Sequence, residues 1–394
     1  MRSAPTAPSR GETGLRHALL WLAGADLRIP LLALPPLLPL IHRELHLNEK
    51  EIAALTGLPV LLLAAAAIPG SLLIARVGAR RALIIGLLAT VLGSALRGIG
   101  SSTAMLFAMT FLMGVGVAIA QPAIPTLINQ WLERRHVGMA TAIYTNGLLV
   151  GEALGAAFTL PIVLPLARGS WGWSLAWWAL PVLASTLAIA LLSPRTPAAA
   201  RSARLGWMPD WRDPHTWQLG MVQGGGSTIY FGANAFIPGY LHAIGHAALV
   251  GPSLTALNVG QLPASLLVAL AASRFIGRRG PLIAAGAITA AALVAFLSTP
   301  PAGMVLAAGV FGFCGSLVLI LTLAMPPLVA PPDTVHRLSA GMFAISYAYA
   351  FAVPLLGGIV WDATGHAASA FIPVAIGALT VLVASSPRRL MPRG

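Results

Sequence analysis

Three ionisable side chains stand deep inside stretches that are otherwise apolar. Asp26 and Arg28 interrupt "GADLRIPLLALPPLLPLI", residues 24–41, and Glu152 interrupts "YTNGLLVGEALGAAF", residues 144–158. A guanidinium offers five donors in a planar fork, which suits a carboxylate or a small planar anion. A carboxyl in a low-dielectric setting keeps its proton unless a cation holds it ionised, so it serves as a proton carrier or as a counter-ion. Arg28 lies about eleven residues into its apolar run and Glu152 about fourteen into its own, so the two have similar depth. Burying an arginine at the centre of a bilayer costs from roughly 3 to more than 10 kcal/mol, so it needs a wet cavity or a partner. Two readings of Arg28 stay open: contact with an anionic solute, and a structural ion pair with another helix. Glu152 is read as its resting counter-ion or as a proton-coupling group. Asp26 is about 200° from Arg28 on a helix, so it belongs to another face. It either bonds a neighbouring helix or is a second carboxyl for proton coupling.

The elements that must hold these groups follow from composition. Of 394 residues, 57% are hydrophobic and 9% charged, whereas soluble domains carry about 25% charge. An integral membrane protein results. A bilayer core about 30 Å thick needs roughly 20 apolar residues as a helix. Such runs fall at about 17–41, 52–75, 82–99, 102–131, 138–166, 173–193, 216–241, 249–273, 281–299, 302–330, 338–361 and 367–386. The expected fold is all-α, with twelve transmembrane helices in two six-helix bundles. The expected boundaries are a tail over 1–16, a bundle over 17–193, a linker over 194–215, a bundle over 216–386 and a tail over 387–394. Placing both termini in the cytoplasm puts 19 of the 24 basic residues inside and leaves Arg43, Lys50, Arg97 and Arg168 outside. That asymmetry obeys the positive-inside rule. The net charge of +13 is therefore topological, and no nucleic-acid partner is implied.

The halves repeat at an offset of 199. Pro39 matches Pro238, Thr56, Leu58 and Val60 match Thr255, Leu257 and Val259, and Gly78, Arg80 and Leu83 match Gly277, Arg279 and Leu282. Each half has a basic turn between its second and third runs, "RVGARRAL" and "RFIGRRGPL". Parallel six-helix repeats about an axis along the membrane normal put a site at the midplane between them.

The uncharged polar groups at that depth are Gln121, Tyr144, Asn146, Gln223, Tyr230, Asn234, Asn258, Gln261, Tyr347 and Tyr349. Each either lines a cavity for a small polar solute or bridges helices. "LPPLLP" and "GQLPAS" should kink their helices. His42 with His46, and His242 with His246, are i, i+4 pairs beyond the first and seventh runs, and they read as interfacial polarity rather than a metal cluster. "HRELH" lacks the Glu that HExxH places directly after its first His, and no GxxxxGK[ST] loop occurs. The single cysteine, Cys314, excludes an internal disulfide framework.

"LRIPLLALPPLLPLI", "LTGLPVLLLAAAAIPG", "IPTLINQWLERRHVGMATAIYTNGLLVGEALGAAF" and "LSAGMFAISYAYAFAVPLLGGIVWDATG" resemble the cyanate and 2-nitroimidazole permease family of the major facilitator superfamily. The likeness runs from about 27 to 375. It implies a single-chain, monomeric secondary transporter of the bacterial inner membrane, without a cofactor, for small anions or small polar nitrogen compounds. It makes Arg28, Gln121, Glu152, Tyr230, Asn234, Asn258 and Tyr347 the candidate substrate contacts. Glu152 and Asp26 are the candidate proton carriers. Arg76, Gly78, Arg80, Arg81, Gly277, Arg278 and Arg279 are the candidate gating residues. Two departures stand out: Ala75 occupies a loop position where the superfamily usually has aspartate, and Asp26-Leu27-Arg28 replaces the family's Asn-Leu-Arg.

Overall fold

A computed structural model describes residues 10–47, 49–99, 102–194 and 206–386. Most of the expected tail over 1–16, half of the linker over 194–215 and all of the tail over 387–394 lie outside the described residues. Within them the chain is helical, with no strand.

The first half comprises α1 (Arg10–Leu32), α2 (Leu38–Leu45), α3 (Glu49–Ala65), α4 (Ala67–Val77), α5 (Ala79–Leu96), α6 (Thr103–Trp131), α7 (Val137–Phe158) and α8 (Trp171–Leu192). The second comprises α9 (Pro214–Ala243), α10 (Val250–Val259), α11 (Gln261–Phe275), α12 (Arg279–Ser298), α13 (Pro301–Leu323), α14 (Val335–Thr364) and α15 (Ile372–Ser385). Ten helices among the described residues are long and apolar enough to cross a membrane, and α3 with α4, bent by 48°, adds an eleventh. The 30-residue α9 is long enough, yet it carries Gln218, Gln223, Ser227, Thr228, Tyr230 and Asn234 and is too polar to join them. A helix of that character lines a cavity. Outward-facing side chains such as Leu191, Leu270 and Leu306 are 81%, 83% and 71% exposed, as a lipid-facing surface requires.

The breaks follow from local chemistry. Pro35 and Pro36 have no N–H to offer the carbonyls of Leu31 and Leu32, so α1 ends at Leu32 and a 3₁₀ turn at Pro35–Leu37 precedes α2. Between α10 and α11, a Cβ on Gly260 would come within 2.3 Å of the Gly309 carbonyl, so only glycine allows α13 to approach the break.

Close backbone packing in the first half joins α1 to α7. Cβ atoms on Gly147, Gly151 and Gly155 would stand 2.2, 2.5 and 2.8 Å from the carbonyl oxygens of Trp21, Ala25 and Ile29. Glycine at every fourth position thus seats one backbone against the other. Arg28 and Glu152 are carried on these two locked helices.

The basic turns behave alike in both halves. Gly78 and Gly277 take positive φ, +88° and +73°. Arg80 donates to Ser193 Oγ at 2.6 Å and to the Ala190 carbonyl, and Arg279 donates to the Ser386 carbonyl at 2.9 Å. Each arginine therefore binds the end of the last helix in its own half. Arg76, Arg81 and Arg278 are exposed.

Candidate functional site

The halves meet at the end that carries the basic turns. Asn129 donates to the Pro327 carbonyl at 2.8 Å, Arg134 to the Leu328 carbonyl at 2.9 Å, and Ser71 to the Trp207 carbonyl at 2.7 Å. At mid-depth Gln121 Nε2 donates to the Tyr347 hydroxyl at 2.6 Å, joining α6 to α14. Asn146 accepts from Trp21 Nε1 at 3.0 Å and donates to Ser265 at 3.2 Å, joining α1, α7 and α11.

Above these bonds lies a small cleft, walled by Arg28, Leu148, Leu149 and Glu152 from the first half. The facing wall carries Ser227, Tyr230, Phe231, Gln261, Ser316 and Tyr347. Arg28 Nη1 stands 3.4 Å from Glu152 Oε1, with both side chains nearly buried at 10% and 12% exposure. The distance is that of an ion pair rather than a tight hydrogen bond. Tyr230 reaches across from α9, its hydroxyl 3.4 Å from Glu152 Oε2 and 2.8 Å from Asn258 Oδ1. The arrangement offers one cation, one carboxyl, several hydroxyls and an apolar flank of leucines and Phe231. It can hold a small anion at the guanidinium, and it has no nucleophile with an adjacent base. Among the described residues no three of His, Cys, Asp and Glu converge as a metal site, and His242 bonds the Pro238 carbonyl at 2.8 Å.

Four of the expected contacts, Arg28, Glu152, Tyr230 and Tyr347, line this cleft. Gln121 reaches it through Tyr347, and Asn258 through Tyr230. Asn234 does not line it; its amide donates to the Tyr230 backbone carbonyl at 3.2 Å. Asp26 is turned away: it is 2% exposed and accepts from Ser185 of α8 inside the first half. The 200° between Asp26 and Arg28 has this consequence. Arg97, expected outside, is 1% exposed and donates from Nη2 to the Pro30 carbonyl at 2.8 Å, while its Nε and Nη1 have no partner. Ser227 and Ser316 escaped the sequence reading, because a serine in an apolar helix carries no periodic signal. The Ser316 hydroxyl is buried without a partner.

The profile of the Major Facilitator Superfamily matches residues 20–257, more than half of the chain. The chain belongs to the major facilitator superfamily. The cyanate transport protein CynX of Escherichia coli K12 is 30% identical over 351 residues, covering 88% of this chain and 90% of that protein. The 2-nitroimidazole transporter of the same organism is 28% identical, covering 92% of each. A probable nitrate transporter of Staphylococcus aureus, NarT, is 28% identical over 127 residues, covering 32% of each. Among solved structures, the Escherichia coli transporter FucP in its outward conformation superposes with a TM-score of 0.72 at 14% identity, covering 94% of this chain and 97% of that one. The human organic anion transporter MFSD10 gives 0.75 at 15% identity, covering 95% and 100%. At such identities these two likenesses speak for the fold alone. The chain is a membrane transporter, not an enzyme.

Proposed function

We propose that the protein carries a small monovalent anion, of the cyanate or nitrite kind or a small carboxylate, across a bacterial inner membrane by alternating access. The observation that carries this reading is Arg28, a nearly buried guanidinium at the wall of an inter-half cleft, 3.4 Å from one carboxylate. An arriving anion takes the place of Glu152 at Arg28, and Glu152 takes up a proton, so cargo and proton move together. The twelve-span arrangement, with cytoplasmic termini and linker and the domain boundaries given above, completes the reading, as does a monomeric state. With the basic, cytoplasmic end held shut by the bonds from Asn129, Arg134 and Ser71, the cleft faces outward. The turns around Gly78 and Gly277, with Arg76, Arg80, Arg81, Arg278 and Arg279, hold each bundle rigid as it rocks. Asp26, closed off against Ser185, serves the packing of α1 and carries no transported proton.

A second reading is favoured by the apolar flank of Leu148, Leu149, Phe231 and Leu319 and by the full-length likeness to a 2-nitroimidazole transporter. In it a neutral, planar compound is exported by a proton gradient and Arg28 only holds Glu152. A thermal-shift screen with cyanate, nitrite and 2-nitroimidazole separates the two, run on the parent protein, Arg28→Ala and Glu152→Gln. The anion reading expects stabilisation by cyanate or nitrite that disappears in Arg28→Ala. Equal stabilisation of all three proteins by the same compounds removes Arg28 and Glu152 from the site.

A further inference from the structure

The Tyr230 hydroxyl has one proton and two acceptors. It lies 2.8 Å from Asn258 Oδ1 within its own half and 3.4 Å from Glu152 Oε2 in the other half. Asn258 cannot turn to relieve the competition, because its Nδ2 donates to the Leu254 carbonyl at 2.8 Å and so presents Oδ1 to the phenol. An ionised Glu152 can only accept, so it and Asn258 compete for that proton. The distances show which wins: the bond within the second half is normal, and the link between the halves is too long for a good O–H···O bond. Resting on the anion reading above, we infer that Tyr230 is a one-proton switch that lets the two halves close only when the cleft holds both an anion and a proton.

The count of donors gives the rule. In the empty cleft Glu152 is ionised and Arg28 is its partner. With both loaded, the anion satisfies Arg28, and protonated Glu152 becomes a donor to the Tyr230 oxygen. Tyr230 keeps its own proton on Asn258, and the chain Glu152–Tyr230–Asn258 then has a donor for every acceptor from α7 through α9 to α10. With the anion alone, Glu152 loses its cation and finds only a proton already engaged. With the proton alone, Arg28 has no counter-charge. Both half-loaded states leave a nearly buried group unmatched, at a cost of about 1–3 kcal/mol or more when that group is charged. The groups that face Glu152 are few: Arg28 from α1, Tyr230 from α9 and, around Arg28, the phenols of Tyr144 and Tyr347 from α7 and α14. None of these supplies a second acid, so Glu152 is the titrating member.

The test measures closure directly. Spin labels go on the exposed positions Arg43 and Ile244 as Arg43→Cys and Ile244→Cys, with the only native cysteine removed as Cys314→Ala. Reconstituted protein is examined by double electron–electron resonance at acidic and alkaline pH, with and without sodium cyanate. The parent should gain a short-distance population only with cyanate at acidic pH, by roughly three- to tenfold, the scale of one net hydrogen bond. Tyr230→Phe should lose that gain while cyanate still raises its thermal stability. Glu152→Gln, whose amide donates at any pH, should close with cyanate at both. Asn258→Ala, which frees the Tyr230 proton for an ionised Glu152, should close with cyanate at alkaline pH as well. Closure of Tyr230→Phe equal to the parent, or a parent that closes equally at both pH values, overturns the switch. Acid-driven closure that needs Tyr230 but ignores cyanate overturns the two-cargo rule, whereas failure of cyanate to stabilise the parent removes the anion reading itself.

Discussion

At the offset of 199 that relates the two halves, Arg28 corresponds to Ser227 and Arg97 to Phe296. Arg28 and Ser227 look at each other across the cleft, a cation on one wall and a hydroxyl on the other. Phe296 packs with Tyr240, Phe311 and Phe371 in a buried aromatic corner, ring centroids 5.0 to 5.8 Å apart, where the first half has a guanidinium on a backbone carbonyl. The scaffold is duplicated, down to the positive-φ glycines and the arginines that bind the last helix of each half, but the buried charge is not. Packing rules apply to both halves alike, so the departure at the cleft, Arg28 against Ser227, is where the two walls differ in chemistry.

Arg28→Ala is the sharpest way to break the asymmetry. Truncating one partner of a buried charge pair at a binding site costs about 2–5 kcal/mol, so proteoliposome uptake of the anion should fall by roughly thirtyfold or more. The matched change, Ser227→Ala, should cost far less; equal losses would mean that the charged wall is not the one that binds. The next contrast concerns Arg97 and Phe296. Phe296→Ala empties a packed corner and should destabilise the second half by about 3–5 kcal/mol. Arg97→Met removes a buried cation without a counter-charge, a change of a kind that is neutral to stabilising by about 1–4 kcal/mol. Thermal denaturation in detergent should therefore move in opposite directions for the two, and a fall for both would show that Arg97 is needed for packing. Ser185→Ala comes third. It strips Asp26 of its donor and should destabilise by about 1–3 kcal/mol, leaving anion affinity unchanged because Asp26 does not line the cleft. Altered affinity in a titration would reconnect Asp26 to the site. The smallest effects are expected from Gly78→Ala and Gly277→Ala. Each forces a Cβ into the left-handed region at roughly 1–2 kcal/mol, and the two should match.

The helical fold, the repeat and the depth of the two cleft charges were legible in the sequence because each rests on one-dimensional signals: hydropathy, arginine placement and the residue count into a run. The partnership of Arg28 and Glu152 was legible as well, since few buried charges were present to be matched. Arg97 was not. An arginine at a helix end, in "LRGIG", reads as interfacial, and its burial comes from a tertiary approach. Gly98 comes so near α8 that a Cβ there would be 2.0 Å from Gly172 Cα. Asn234 shows the opposite error. It sits one turn from Tyr230 and has the right depth, yet its amide is taken by its own helix. Depth can be counted along a sequence, but the azimuth around a helix is fixed only when neighbours are in place.

The run of glycines on α7 has a mechanical consequence. Backbones seated that tightly cannot slide or roll past one another without collision, so α1 and α7 travel as one beam in every posture the transporter adopts. The two helices that carry Arg28 and Glu152 therefore keep their register, and any change in the pair comes from side-chain rotation. In the proposed anion cycle the cargo then has no second cation to pass to: it rides beside Arg28 while the opposite wall swings past.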